Sequence, residues 1–384
     1  MASKSSMRRN LQTVLTDLPD ALIVEILSWL PLKSLCCCKC VDTHWRYLIS
    51  HPEHLKKLPQ TLAGFFFDTE DIGRCPKVAR HFANIGEGPQ IDPSYPFLPP
   101  EFELVRLEDC CDGLLLCCSS QRSFRHLVCN PATERWVVLP ALPADSSCVA
   151  QEETFHLAFD RDVSSHFHVF QIVLKEWRRV AGINIYSSET GSWSFKESGW
   201  DSDTSICTSR RVFYQGILHF LSAQSTVVSV DMEGNKWRAI PVPEGVKSSE
   251  IGFLGLPKGH LHYMVHTGNR VQVSIWCLAK YDSDEWTLKQ HVDNNKLVNV
   301  RRIAYDYEYA IISYHPDRSL IYANHRDNTL MAYDTDREEA RVLCSVGRGS
   351  LISCFPYVAL FNDSSVPLSS WLLLGLVNKP IAAM

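Results

Sequence analysis

One kind of turn recurs along most of this chain, four times with a tryptophan at its exit, and no other feature narrows the fold as far. It reads Asn130–Pro131–Ala132–Thr133–Glu134–Arg135–Trp136, then Ser188–Glu189–Thr190–Gly191–Ser192–Trp193, then Asp231–Met232–Glu233–Gly234–Asn235–Lys236–Trp237 and Tyr281–Asp282–Ser283–Asp284–Glu285–Trp286. A fifth copy, Asp334–Thr335–Asp336–Arg337–Glu338–Glu339–Ala340, lacks the indole. The tryptophans at 136, 193, 237 and 286 stand 57, 44 and 49 residues apart, the length of one four-stranded propeller blade, roughly 40–50 residues. Asp, Asn and Gly supply a hairpin turn, and the indole heads the returning strand, where it is expected to pack between neighbouring blades. An apolar strand precedes each copy, at residues 127–129, 183–186, 227–230, 273–278 and 329–333. One step earlier lie strands opened by a glycine, as in Gly113–Leu114–Leu115–Leu116–Cys117, Gly216–Ile217–Leu218–His219–Phe220 and Gly259–His260–Leu261–His262–Tyr263. Five blades are recognisable, with room for a sixth. A propeller must close its ring, so residues 63–68 are expected to lend a strand to a last blade built from residues 353–361.

The first sixty residues follow another period. Leu18, Leu22, Ile26 and Leu30 step by four, with Ile23 and Leu27 beside them, which is a helical stripe. Pro19 suits the first helical position, Asp17 and Asp20 place negative charge near the positive end of the helix dipole, and Pro31 stops the helix. Leu32, Leu35, Val41, Trp45, Leu48 and Ile49 continue the pattern up to Pro52. A compact three-helix unit is predicted. It is too small to bury much surface alone, and its stripe is wider than its own core, so it is expected to complete its burial against a partner.

The fold class is therefore α+β multidomain: a small all-α three-helix module followed by an all-β propeller of five to six blades. Residues 1–14 are expected to be a disordered tail, 15–60 the helical module, 61–100 a linker punctuated by Pro89, Pro93, Pro96 and Pro99, 101–365 the propeller, and 366–384 a C-terminal tail.

Composition excludes several functions. The formal net charge is −5, the pI is near 6.3, and no basic stripe is present, which argues against nucleic acid as the partner. The apolar stretch at residues 371–377 is far short of the ~20 residues that span a membrane. No apolar segment follows Lys4, Arg8 and Arg9, so no signal peptide is read. The protein is expected to be soluble and intracellular, with its fifteen cysteines reduced. Cys36, Cys37, Cys38 and Cys40 lie on one helix, point in different directions and lack a second couple at zinc-finger spacing. With Cys110, Cys111, Cys117 and Cys118 they read as small buried hydrophobes. His166 with His168, and His260 with His262, each share a strand face and would make a metal site only if those strands adjoined. No nucleophile elbow, phosphate loop, His-Glu-x-x-His or dinucleotide fingerprint is present, and Glu108, Asp109, Asp160 and Asp162 read as turn residues. No catalytic residue, cofactor or metal is assigned. Trp200 and Trp371, outside the repeat, are candidates for exposed substrate contact. Candidate binding loops lie at residues 121–125, 201–209, 267–270 and 347–350.

The set Leu18–Pro19–Asp20–Ala21–Leu22, Glu25–Ile26–Leu27, Leu30–Pro31, Ser34–Leu35, Val41, Trp45–Arg46 and Leu48–Ile49 resembles the F-box motif in order and spacing. Asp112–Gly113–Leu114–Leu115–Leu116–Cys117 followed by Cys129–Asn130–Pro131–Ala132–Thr133–Glu134–Arg135–Trp136 is similar to the start of the F-box-associated, kelch-like β-domain common in plants. The resemblance implies a substrate-recruiting subunit of an SCF-type ubiquitin ligase, cytoplasmic or nuclear. Its helices would dock on a Skp-family adaptor, and through it a cullin, while the propeller holds an unknown protein target. Contact residues carried over by motif position are Leu18, Pro19, Leu22, Ile23, Ile26, Leu27, Leu30, Pro31, Leu35, Val41 and Trp45. The family usually carries an arginine and a Val–Cys–Lys run where Cys36–Cys37–Cys38–Lys39–Cys40–Val41 stands here, a departure expected to weaken adaptor docking. Two other functions fit the residues. One is a catalytic or ligand-binding propeller with an unrelated helical leader, which predicts an acid-bearing central channel. The other is a Skp-binding interaction protein outside any ligase.

Overall fold

The computed structural model describes residues 18–30, 32–51, 54, 62–70, 73, 78–85, 91–119, 125–143, 154–161, 163–175, 179–244, 246, 252–267, 272–293, 296, 309–315, 318–325, 329–345 and 350–360. Three helices come first: α1 (Asp20–Ser28), α2 (Leu32–Val41) and α3 (Thr43–Ser50). Two strands follow, β1 (Leu62–Glu70) and β2 (Val78–Asn84). Five four-stranded antiparallel sheets then run in sequence. Blade one is β3 (Val105–Cys111), β4 (Leu114–Ser119), β5 (His126–Asn130) and β6 (Arg135–Val138). Blade two is β7 (Thr154–Ala158), β8 (His168–Leu174), β9 (Val180–Ser187) and β10 (Ser192–Glu197). Blade three is β11 (Ile206–Tyr214), β12 (Ile217–Ser222), β13 (Thr226–Asp231) and β14 (Trp237–Pro241). Blade four is β15 (Gly252–Gly255), β16 (His262–Thr267), β17 (Gln272–Leu278) and β18 (Trp286–Asp293). Blade five is β19 (Tyr309–Tyr314), β20 (Leu320–His325), β21 (Thr329–Asp334) and β22 (Glu339–Ser345).

The ring closes as the sequence predicts. β23 (Ser350–Val358) pairs antiparallel with β1, and β1 with β2, giving a sixth blade drawn from both ends of the propeller. The expected linker over residues 61–100 is corrected accordingly. Its first part is the aromatic run Leu62–Glu70, buried along all but its last residue, with its partner Val78–Asn84, which has strand propensity and a ladder to join. Phe66 is fully buried and meets Phe82, Tyr95 and Tyr357 at 4.7, 5.8 and 5.1 Å between ring centroids. Asp68 faces Arg80 across the strand pair and accepts a bidentate pair of hydrogen bonds from it at 2.9 and 3.1 Å. Arg80 also donates to the Val105 carbonyl on blade one at 2.8 Å.

Within each blade the burial follows the position of the strand. The middle strands are buried from both sides by neighbouring blades, as in β4, whose six residues are all buried, and their sequences are accordingly continuous apolar runs. The outermost strands, such as β10 and β18, are mostly exposed. Six apolar clusters fill the six blade-to-blade contacts. The repeat tryptophans sit there: Trp136 between blades six and one, Trp193 between one and two, Trp237 between two and three, and Trp286 between three and four. Trp193 donates its indole N–H to the Pro140 carbonyl at 2.9 Å, and Trp286 to that of Pro241 at 2.7 Å. Each indole thereby ties its strand to the chain leaving the preceding blade.

The turn before each of these strands needs one left-handed residue: Glu134, Gly191, Gly234, Asp284 and, in the copy without tryptophan, Glu338, with φ between 53° and 69°. The hairpin geometry is thus kept where the indole is not.

Candidate partner-binding surface

α1 starts from Pro19, which is the residue before the helix and not its first turn. No side chain caps it, but Asp20 places an acid in the first turn, where the dipole favours it. α3 is capped by Asp42, whose carboxylate accepts from the His44 and Trp45 amides at 2.6 and 3.1 Å. His44 reaches back to Asp20 at 2.9 Å, fastening the start of α3 to the start of α1.

The three helices close on Ile23, Val24, Leu27, Leu35, Leu48 and Ile49, all buried, with Leu18, Leu30, Cys38 and Trp45 partly buried around them. That core uses only one side of α1. On the other side Leu22 is 51% exposed, Ile26 43% and Trp29 75%, and Val41 at the end of α2 is 77% exposed. Leu22, Ile26 and Trp29 stand at i, i+4 and i+7, which is one helix face.

Of the residues expected to meet an adaptor, Pro19, Leu22, Ile26 and Val41 are therefore presented to solvent, and Leu18, Leu30 and Trp45 are half-buried. Ile23, Leu27 and Leu35 are buried in the core of the helical module, packed against its own helices. Pro31 lies outside the described residues. Trp29 and Tyr47, at 75% and 58% exposure, are the exposed aromatics that motif matching missed, although Trp29 continues the Leu22–Ile26 spacing in plain view.

In the propeller, the innermost strands β3, β7, β11, β15, β19 and β23 ring the axis and line a cavity of about 330 Å³. Carboxylates do reach it. Asp109 accepts from the Leu157 amide at 2.8 Å and from Arg211 at 3.1 Å, bracing blades one, two and three. Asp112 is held by Arg161. Both acids serve as cross-blade ties. His168 opens β8 in blade two and His262 opens β16 in blade four, while His166 and His260 lie in the chain before those strands, so the expected strand-face pairs do not form and the two strands do not adjoin.

Trp200 is corrected: it is buried, stacks edge-on against Trp237 at 4.8 Å, and donates to the Ser229 carbonyl at 3.1 Å. Trp371 lies outside the described residues, as do 121–124, 268–270 and 347–349 of the candidate loops. Residues 206–209 belong to β11. Cys37 is exposed and Cys38 half-buried, while Cys117, Cys118 and Cys129 are buried strand residues; the side chains of Cys36 and Cys40 lie outside the described set. No helix among the described residues is long and apolar enough to cross a membrane.

A three-helix unit with a filled core and a bare apolar face, ahead of a six-bladed propeller closed by its own first strand, is the build of an F-box protein. A family model described as F-box-like matches residues 15–58. A second, described as F-box protein At3g26010-like, beta-propeller, matches residues 94–347, and the chain belongs to that family. It is similar to F-box protein At5g07610 of Arabidopsis thaliana, at 25% identity over 73% of this chain and 71% of that one. F-box protein At5g49610 of the same plant is also 25% identical, over 70% and 77%. Putative F-box/kelch-repeat protein At1g15680, likewise from Arabidopsis thaliana, is 24% identical over 83% and 81%.

Proposed function

We propose that this chain is the substrate-recruiting subunit of an SCF-type ubiquitin ligase. The F-box docks on a Skp-family adaptor, and through it a cullin, while the propeller, of the kelch-like kind, holds a target protein. The observation that carries the proposal is the bare face of Pro19, Leu22, Ile26 and Trp29 beside a core that is already complete. Such a face is a helix-in-groove element waiting for its groove. The chain performs no chemistry in this role. It raises the effective concentration of the target near the ubiquitin carrier, in the cytoplasm or nucleus. A catalytic propeller is the weaker reading, because Arg211 and Arg161 already occupy the acids that reach the axis.

The test is co-purification of the full chain with a purified Skp-family adaptor. Wild type should form a stable complex, and a Leu22→Asp, Ile26→Asp double variant should lose it while its circular dichroism stays unchanged, because both side chains are exposed in the free chain. A folded wild-type chain that does not bind the adaptor ends the ligase reading. Adaptor binding without any ubiquitin transfer in a reconstituted cullin complex leaves the interaction protein in its place.

A further inference from the structure

On blade one, Cys118 of β4 and His126 of β5 are directly paired across the ladder, so their side chains share a face. On β3 the register slips between Leu107 and Asp109, and the slip leaves Glu108 without a ladder partner. Arg106 is paired with Cys118 across the ladder, so strand alternation puts the Glu108 carboxylate, two residues on, over the Cys118–His126 face. One ligand atom from each of the three residues lies within 4.8 Å of the other two. The site is sheltered: Cys118 is buried, and the Glu108 and His126 side chains are 9% and 11% exposed. The His126 ring lies 3.8 Å from that of Phe155 on blade two, which walls the site with apolar surface.

Glu108 Oε2 and His126 Nε2 face each other at 3.1 Å, an ion-pair contact that misses good hydrogen-bond geometry. Against the opposing effect of burial, His126 helps hold the Glu108 carboxyl below its usual range. A poorly aligned buried pair of this kind recovers less of its desolvation cost than a well-made hydrogen bond. Arg106 holds the other carboxylate oxygen, Oε1, at 2.7 Å, so Oε2 is the atom kept toward the imidazole and the thiol.

We propose that Glu108, Cys118 and His126 bind a zinc ion, with Oε2, Sγ and Nε2 as its ligands. Sulfur, imidazole nitrogen and carboxylate oxygen together form a borderline-soft donor set, which suits zinc and not the hard, all-oxygen demands of calcium or magnesium. Ligand bonds of about 2.0–2.3 Å put donor atoms roughly 3.3–3.7 Å apart in a tetrahedron, a contraction of about 1 Å from the outer limit of their present spacing. Three protein ligands leave a fourth position for water or for a side chain of a bound protein. Binding ejects the Cys118 thiol proton as the sulfur–zinc bond forms, and also the imidazole proton when the His126–Glu108 pair is charged; no electrons move. The ion would clip β3, β4 and β5 together and replace the misaligned Glu108–His126 contact with two metal bonds.

The experiment uses the full chain, stripped with a chelator and titrated with Co²⁺ as the spectroscopic probe. Wild type should take up one equivalent, show a thiolate-to-cobalt charge-transfer absorption, release protons, and surrender the cobalt to Zn²⁺. Cys118→Ser should abolish that absorption, while Cys37→Ser, at the exposed thiol of the cysteine-rich helix, should leave it intact. Glu108→Gln preserves the shape of the buried side chain and should weaken cobalt affinity at least tenfold in a chain whose circular dichroism remains native, which keeps the test decisive where Cys118→Ser fails to fold. Absence of the absorption in wild type, its survival in folded Cys118→Ser, its loss in Cys37→Ser, or unaltered affinity in Glu108→Gln overturns the assignment.

Discussion

Replacing Phe66 by alanine tests whether the strand between the F-box and the first blade closes the propeller. Phe66 is fully buried on β1, between β2 and β23, and touches three aromatic rings. Truncating a buried phenylalanine removes its transfer free energy and leaves a cavity, together about 3–5 kcal/mol. The well-packed aromatic surroundings place this site toward the upper half, about 4 kcal/mol, and a domain has only ~5–15 kcal/mol in hand. For a domain of this size a urea m-value of about 3 kcal/mol/M turns that loss into a midpoint shift of more than about 1 M. The assay is urea unfolding of the full chain followed by tryptophan fluorescence, which reports the blade contacts because the repeat indoles sit in them. The control is Val342→Ala on β22, whose side chain is 63% exposed and whose loss should stay within about 0.5 kcal/mol. A Phe66→Ala midpoint within about 0.3 M of wild type, a change of about 1 kcal/mol, would refute the closure argument: β1 would then be an ornament on a ring held by other contacts.

Three further outcomes follow from single residues. Leu27→Ala, in the core of the helical module, should destabilise the F-box by about 2–5 kcal/mol and weaken adaptor binding only by unfolding, so that helical circular dichroism falls along with affinity, unlike in the Leu22 and Ile26 variant. Asn130 is buried and donates to the Leu360 carbonyl at 2.8 Å while accepting from the Ala132 amide at 3.0 Å; Asn130→Ala leaves both groups unpaired and should cost about 1–3 kcal/mol in thermal or urea unfolding. His219 is fully buried beside the Tyr281 hydroxyl, 2.8 Å away. Burial, opposed in part by backbone hydrogen bonds and aided by Arg238, lowers its pKa to about 4. Its folded pKa is depressed, so the unfolded chain takes up the proton first as the pH drops. Stability from this residue is complete above pH ~6.5 and falls toward pH ~4 by up to about 1.4 kcal/mol per pH unit. Unfolding measured from pH 7 to 4.5 should therefore be less steeply pH-dependent in His219→Gln, and an equal slope in both proteins would contradict the assignment.

Much of this architecture is legible in the chain itself because its determinants are local. A left-handed residue two or three positions before each repeat tryptophan, from Glu134 to Asp284, is a matter of turn stereochemistry, and it survives at Glu338 where the indole is gone. The spacing of the turns gives the blade count, and the need to leave no open ring edge points to residues 63–68 as the closing strand. The helical stripe of residues 18–30 is equally plain. Its division is not. Periodicity says that Leu22, Ile23, Ile26 and Leu27 share a broad face, but only the docking of α2 and α3 decides that Ile23 and Leu27 turn inward while Leu22 and Ile26 stay bare.

The same holds wherever the answer depends on what arrives from elsewhere in the chain. Trp200 lies outside the repeat, and its burial follows from the placement of Trp237 and the Ser229 carbonyl on later strands. β2 is a weak strand by composition, and it exists because β1 offers it a ladder. Glu108, Cys118 and His126 share no motif spacing; the ladder that sets Arg106 against Cys118 and Cys118 against His126 brings them onto one face. Sequence by itself determined the periods, the turns and the need for closure, since those rest on bonds and sterics within a few residues. Tertiary structure alone decided which apolar face remains unpaired and which distant polar groups converge, since burial and convergence are properties of the assembled surface and not of the strand or helix that carries them.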